Sequence, residues 1–149
     1  MKRYRKSASA EGGQSMRLSD IAIAITSLWR PEYLRRCLYG IYKNLPEVEV
    51  IVADDSDTDL CANIAGLNCI RLDHDAGLSA KRNAIVAACQ KPLILLACDD
   101  FDFSTPEARD GVIRMAKILR SSEINIGHEI DLVAGRVNNK IYEGYLEYV

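Results

Sequence analysis

Hydrophobic positions along the chain fall into two alternating kinds of segment. "IAIAIT", residues 21–26, is a short β-branched apolar run that reads as a buried strand. In "RPEYLRRCLYGIYKNL", which follows, Leu34, Cys37, Leu38, Ile41 and Tyr42 recur at helical spacing behind Pro31, a residue suited to a first helical turn. "VEVIVADDS" is a second apolar run that ends in acids, and "CIRLDHD" is a short third one. Two strands with a helix between them make a βαβ start.

The alternation continues. "GLSAKRNAIVAACQ" opens with a glycine and a serine able to cap, then places Leu78, Arg82, Ile85, Val86 and Cys89 at helical intervals. "PLILLAC" is the next buried strand, and "STPEARDGVIRMAKILRSS" begins with a Ser104-x-x-Glu107 capping pattern and Pro106 near the first turn. "DLVAGRV", the pair Asn138-Asn139 and "KIYEGYLEYV" read as a C-terminal β-hairpin. The pattern predicts an α/β fold with a mostly parallel sheet flanked by helices. Residues 1–17 are basic and without periodicity, and read as a mobile tail, which leaves a single domain over 18–149.

A chain of 149 residues is long enough for one self-supporting core. Its net charge of -2 supplies no global basic field, which argues against a nucleic-acid partner. No run of about 18 apolar residues suggests a membrane span, and the basic start lacks the apolar centre of a signal peptide, so a cytoplasmic location is expected. Five scattered cysteines in apolar company are expected to be reduced packing residues, and their spacing suits no zinc site.

Candidate chemistry gathers where apolar runs end. In "VADDSDTD", Asp55, Asp57 and Asp59 alternate as in an EF-hand loop, but Leu60 and Gly66 stand where that loop needs glycine and glutamate. Asp54 and Asp55 follow a buried strand directly, and a carboxylate there can accept from a ring N–H or a ribose hydroxyl. In "LLACDDFDF", Asp99 and Asp100 repel each other unless a cation sits beside them, and Mn²⁺ or Mg²⁺ is the natural compensation. Asp102 reads as a cap for the helix beyond. "HDAGLSAKRN" combines Gly77, which allows close backbone approach, with a helix start and the donors Lys81 and Arg82, a setting for phosphate. His74 reads as a hydrogen-bonded loop residue. Together these clusters describe a nucleoside diphosphate bound through a metal.

The series "TSLWRPEYLRRCL", "VEVIVADDSD", "GLSAKRN" and "LLACDDFDF" resembles the nucleotide-sugar half of family-2-like glycosyltransferases of GT-A fold, over about residues 21–137. Within that group it is most similar to β-1,4-N-acetylgalactosaminyltransferases. The resemblance implies that Thr26 and Arg30 lie where the first loop meets the nucleotide. It implies that Asp55, with Asp54 beside it, holds uracil or ribose, that Arg82 reaches the base or diphosphate, and that Asp99 contacts ribose or sugar. Asp100 becomes the metal ligand of a DxD-like motif, with Cys98 where many relatives carry a further aspartate.

The implied activity is transfer of a hexose or N-acetylhexosamine from a UDP-sugar to the hydroxyl of a glycan or other acceptor, with Mn²⁺ or Mg²⁺. Relatives of this kind continue into an acceptor half, so this chain reads as truncated relative to them. Glu143 and Glu147 read as the solvent face of a strand, and no general base is assigned. A non-catalytic nucleotide-sugar-binding module, or a half-enzyme completed by a partner chain or a second copy, is the alternative. A nucleotidyltransferase ranks last, because "TSLWRPEY" has no glycine for a triphosphate loop.

Overall fold

The computed structural model describes residues 16–62 and 64–125, so the predicted hairpin and most of the basic tail lie outside the described residues. A single turn, Leu18–Asp20, leads into β1 (Ile21–Ser27), α1 (Pro31–Asn44), β2 (Glu49–Asp54), β3 (Asn68–Arg71), α2 (Leu78–Ala88), β4 (Leu93–Cys98) and α3 (Pro106–Asn125). All four strands pair in parallel, in the order β3-β2-β1-β4. The expected α/β architecture is present. None of the described helices is long and apolar enough to cross a membrane.

Alternation within β1 sets the two faces of the sheet. Ile21, Ile23 and Ile25 join Val50 and Val52 against Leu34, Cys37, Leu38 and Ile41 of α1 and Val112 and Ala116 of α3. Ala22 and Ala24 face the other way, with Ile51 and Ala53, and meet Ile85 of α2. Every residue of β1 is buried, as a central parallel strand requires. The β1–α1–β2 crossover steps one way across the sheet, and the passage from β3 through α2 to β4 steps back. Right-handed crossovers in opposite directions put their helices on opposite faces.

Three local expectations are corrected. Asp102 accepts the Ser104 N–H at 2.8 Å, which spends Ser104 on a turn, and the hydroxyl of Thr105 instead accepts from Ala108 N–H at 3.3 Å to cap α3. Ser79 lies inside α2 and caps nothing; the capping position is Gly77, whose φ of 90° is open to glycine at no steric cost. Cys61 and Cys69 are joined in a disulfide, while Cys37, Cys89 and Cys98 are free thiols. The loop after β2 folds back over β3 and brings the pair together, with their Cα atoms 6.4 Å apart.

A close helix-to-loop approach positions the segment after β4. A Cβ on Gly40 of α1 would lie 2.8 Å from both the carbonyl carbon of Phe103 and the amide nitrogen of Ser104. Nearby, Asn44 donates from Nδ2 to the Phe103 carbonyl at 2.7 Å, and Arg109 of α3 donates to the Asn44 carbonyl at 2.5 Å. Helix α1 thereby holds the loop that carries Asp99 and Asp100. Alanine favours helix by about 1 kcal/mol over glycine, yet Gly40→Ala is expected to destabilise by about 1–3 kcal/mol through overpacking. Urea denaturation measures this, and a stabilised variant would contradict the packing described.

Candidate functional site

Parallel pairing sends the C-terminal ends of all four strands to one edge. β1 lies at its centre, with Ser27 in register with Asp54 of β2 and Thr26 with Cys98 of β4. Strand order reverses between β1 and β4, the kind of switch point where open α/β sheets bind ligands. Thr26, Ser27, Asp54, Asp55, Ser56, Lys81 and Asp99 are all buried there.

On the β4 side, Ser27 Oγ donates to Asp99 Oδ2 at 2.8 Å. Arg30 donates from Nε to the same oxygen at 3.3 Å and pairs through Nη2 with Asp99 Oδ1. The same Nη2 is 3.5 Å from Asp100 Oδ2. The hydrogen bond to Asp99 is the main reason the Arg30 guanidinium holds its proton more tightly than usual. Arg30 is thus the protein's own cation beside the two acids. Asp99 has 1% of its side chain exposed and both oxygens engaged, whereas Asp100 has 47% exposed. Beneath them, burial, then Asp99 and Asp100, push the Cys37 thiol up to about 12, so it stays neutral.

On the β2 side, both carboxylates are committed to protein partners. Asp54 accepts from Ser56 N–H at 3.1 Å, Ser56 Oγ at 2.5 Å and Leu60 N–H at 3.3 Å, and it pairs with Arg71 of β3. Asp55 accepts from Lys81 Nζ at 2.5 Å and from Gly77 N–H at 3.0 Å. Lys81 Nζ also donates to the Ser27 carbonyl at 3.2 Å, linking α2 to the end of β1. Burial opposes ionisation of Asp55, but the bonds from Lys81 and Gly77 outweigh it and hold the carboxyl below its ordinary range. Lys81 is therefore a buried counter-charge. Its spacing of four from Ile85, the other buried residue of α2, is the signal that places it on the inner face.

Trp29 is a site residue that periodicity does not reveal. Its φ of 56° is unusual outside glycine, and loops from other strands hold it there. The Trp29 N–H donates to Ser56 Oγ and its indole Nε1 to Asp57 Oδ1, both at 2.8 Å. Its ring stacks on His74 with centroids 5.1 Å apart, yet the residue is 56% exposed. His74 is accordingly a stacking partner. Trp29 is the chain's single tryptophan, in the first strand-end loop, and that is the signal that could have found it.

Gly77 leaves open space at the start of α2, since a Cβ there would meet nothing within 4 Å. Arg82, one residue beyond Lys81, is half-buried. Asp54, Asp59 and Cys61 bring ligand-type atoms within 4.8 Å of one another. That group cannot hold an ion as it stands, because the Cys61 sulfur is in the disulfide and Asp54 is taken up by Arg71 and Ser56. Of Asp54, Asp55, Asp99 and Asp100, the last keeps accessible oxygen capacity.

Residues 22–116, more than half of the chain, match the family model Glycosyl transferase family 2, and the chain belongs to that family. It is 29% identical over 128 residues to Beta-1,4 N-acetylgalactosaminyltransferase 2 of Mus musculus, covering 86% of this chain and 23% of that protein. It is 31% identical over 94 residues to Succinoglycan biosynthesis protein ExoU of Rhizobium meliloti (strain 1021), covering 57% of this chain and 28% of that protein. The chain thus spans about a quarter of the length of these curated relatives.

The Lys81–Asp55 pair carries a pH signature. Because the folded Asp55 carboxyl titrates below the ordinary value of 3.8, its contribution is complete above that value and is lost as pH falls through the lower, folded one. The stability difference between the native chain and Asp55→Asn is therefore expected to be flat near neutrality and to shrink in acid. Urea titrations across that range measure it, and a pH-independent difference would show that Asp55 is not held ionised. Lys81→Met, which strips the buried carboxylate of its partner, is expected to cost about 3–5 kcal/mol.

Proposed function

We propose that this edge binds the nucleotide diphosphate of a UDP-sugar and serves transfer of a hexose or N-acetylhexosamine to an acceptor hydroxyl, on a glycan or another molecule. The observation that carries the reading is the meeting of Arg30, Asp99 and Asp100 at the point where strand order reverses between β1 and β4. Family membership supports it. The exposed ring of Trp29 offers a stacking surface for the pyrimidine. Gly77 leaves open space for a phosphate beside the first turn of α2, whose backbone N–H groups, with Arg82 nearby, offer donors to its oxygens. Asp54 and Asp55 serve by positioning: Asp54 fixes Ser56, which holds Trp29, and Asp55 fixes Gly77 and Lys81. Asp99 sets the guanidinium of Arg30, and Thr26 is buried near the end of β1, in register with Cys98.

Asp100 fits Mn²⁺ or Mg²⁺ by its chemistry: a half-exposed carboxylate is a hard oxygen donor, and such ions take one or two carboxylates beside phosphate oxygens. When bound, the ion supplies charge neutralisation for a departing diphosphate. Arg30 adds a positive charge on the same side.

One observation favours a second reading. Asp54, Asp55 and Asp99 are locked in ion pairs and Asp100 is assigned to the ion, which leaves none of the four to take a proton from an acceptor hydroxyl. The chain would then be a donor-binding module completed by a partner chain or a second copy. The Cys61–Cys69 bond favours an oxidising compartment over the cytoplasm.

Calorimetric titration of UDP with and without Mn²⁺, on the native chain and on Asp100→Asn, tests the donor site. Metal-dependent binding is expected, weakened about tenfold or more in the variant, which corresponds to about 1.4 kcal/mol or more. Fluorescence of the single tryptophan should change on binding. No binding of UDP under any metal condition would overturn the reading.

A further inference from the structure

Arg30 occupies the place beside Asp99 and Asp100 that a second cation would contest. Its Nη2 pairs with Asp99 and lies 3.5 Å from Oδ2 of Asp100, the half-exposed carboxylate that keeps capacity for another ligand. Two carboxylates against one guanidinium leave one negative charge. A divalent ion on Asp100 turns that remainder into one positive charge and sets two cations against each other across a single carboxylate.

The two acids differ in what they allow. Asp99 is buried and held by Ser27 as well as Arg30, so its contact with the guanidinium is fixed from below. Asp100 is half-exposed, and so is Arg30, with 44% of its side chain open to solvent. The guanidinium also lies 5.1 Å from the centre of the Tyr33 ring, an attraction that does not depend on Asp100. Movement away from Asp100 is therefore open to Arg30, whereas movement of Asp99 is not. A diphosphate offers the planar guanidinium a bidentate anionic partner at least as good as the distant Asp100 oxygen.

We propose that Arg30 is a resident counter-ion which competes with a divalent cation for Asp100 and is drawn toward the donor's diphosphate, so that metal and nucleotide bind cooperatively. This rests on the donor-site reading above and adds an order to it. In the free chain Arg30 suppresses metal binding. With diphosphate present the guanidinium gains a new partner, and Asp100 becomes available to the ion.

Free Mn²⁺ measured by electron paramagnetic resonance tests this without reference to turnover, in titrations of the native chain and of Arg30→Gln, each with and without UDP. Without nucleotide, Arg30→Gln is expected to bind Mn²⁺ several-fold more tightly than the native chain. UDP is expected to tighten Mn²⁺ binding in the native chain and to do so several-fold less in the variant. Equal or weaker Mn²⁺ binding by Arg30→Gln without nucleotide overturns the competition. If UDP binds neither protein, the donor-site reading and the proposed cooperativity both fall, while the nucleotide-free comparison still decides the competition. A measurement on the native chain stands if the variant fails to fold: the Arg30 Nε–H resonance should shift when Mg²⁺ and UDP are added together. A resonance that stays fixed overturns the proposal.

Discussion

A carboxylate buried without a partner costs several kcal/mol, and this chain buries three of them along one edge of its sheet: Asp54, Asp55 and Asp99. Each is met by a cation from a different element. Arg71 comes from β3, Lys81 from α2 and Arg30 from the residue just before α1. The requirement for compensation thereby ties every strand-end loop to a neighbour. Removing any one cation would release a buried charge and the loop that it anchors, so the shape of the edge depends on these pairs.

The rest of the fold brings the pairs within reach. Small residues on one face of β1, Ala22 and Ala24, let α2 approach the sheet closely, and that approach delivers Lys81 both to Asp55 and to the Ser27 carbonyl. Large residues on the other face, Ile21, Ile23 and Ile25, support α1, whose Gly40 and Asn44 clasp the loop after β4. Trp29 is kept in an uncommon backbone conformation by Ser56 and Asp57, and Ser56 is itself held by Asp54. A site whose side chains are fixed by such supporting bonds is preorganised for a ligand.

Much of this was legible in the sequence because it is local. The period of "IAIAIT" and the spacing of Leu34, Cys37, Leu38 and Ile41 identify β1 and α1, and Pro31 does begin the helix. Acids placed directly after apolar runs mark the edge. What was not legible is pairing between distant residues. The order β3-β2-β1-β4 decides that Arg71 meets Asp54 and that Arg30 meets Asp99, and no periodicity encodes neighbours in a sheet. The Cys61–Cys69 bond is hidden for the same reason, since it exists only once the loop has folded back on β3. The shift of the α3 cap to Thr105 has a nearer cause, the competing turn at Asp102.

On the proposed reading, this strand-end edge is where the chain meets a nucleotide diphosphate. Amide chemical-shift mapping of the ¹⁵N-labelled chain on addition of UDP and Mg²⁺ tests it most directly. The largest shifts are expected on Ser27 to Arg30, Ser56, Gly77 to Arg82 and Asp99 to Asp100. Shifts confined to the outer surfaces of α1 and α3, or none at all, would contradict it.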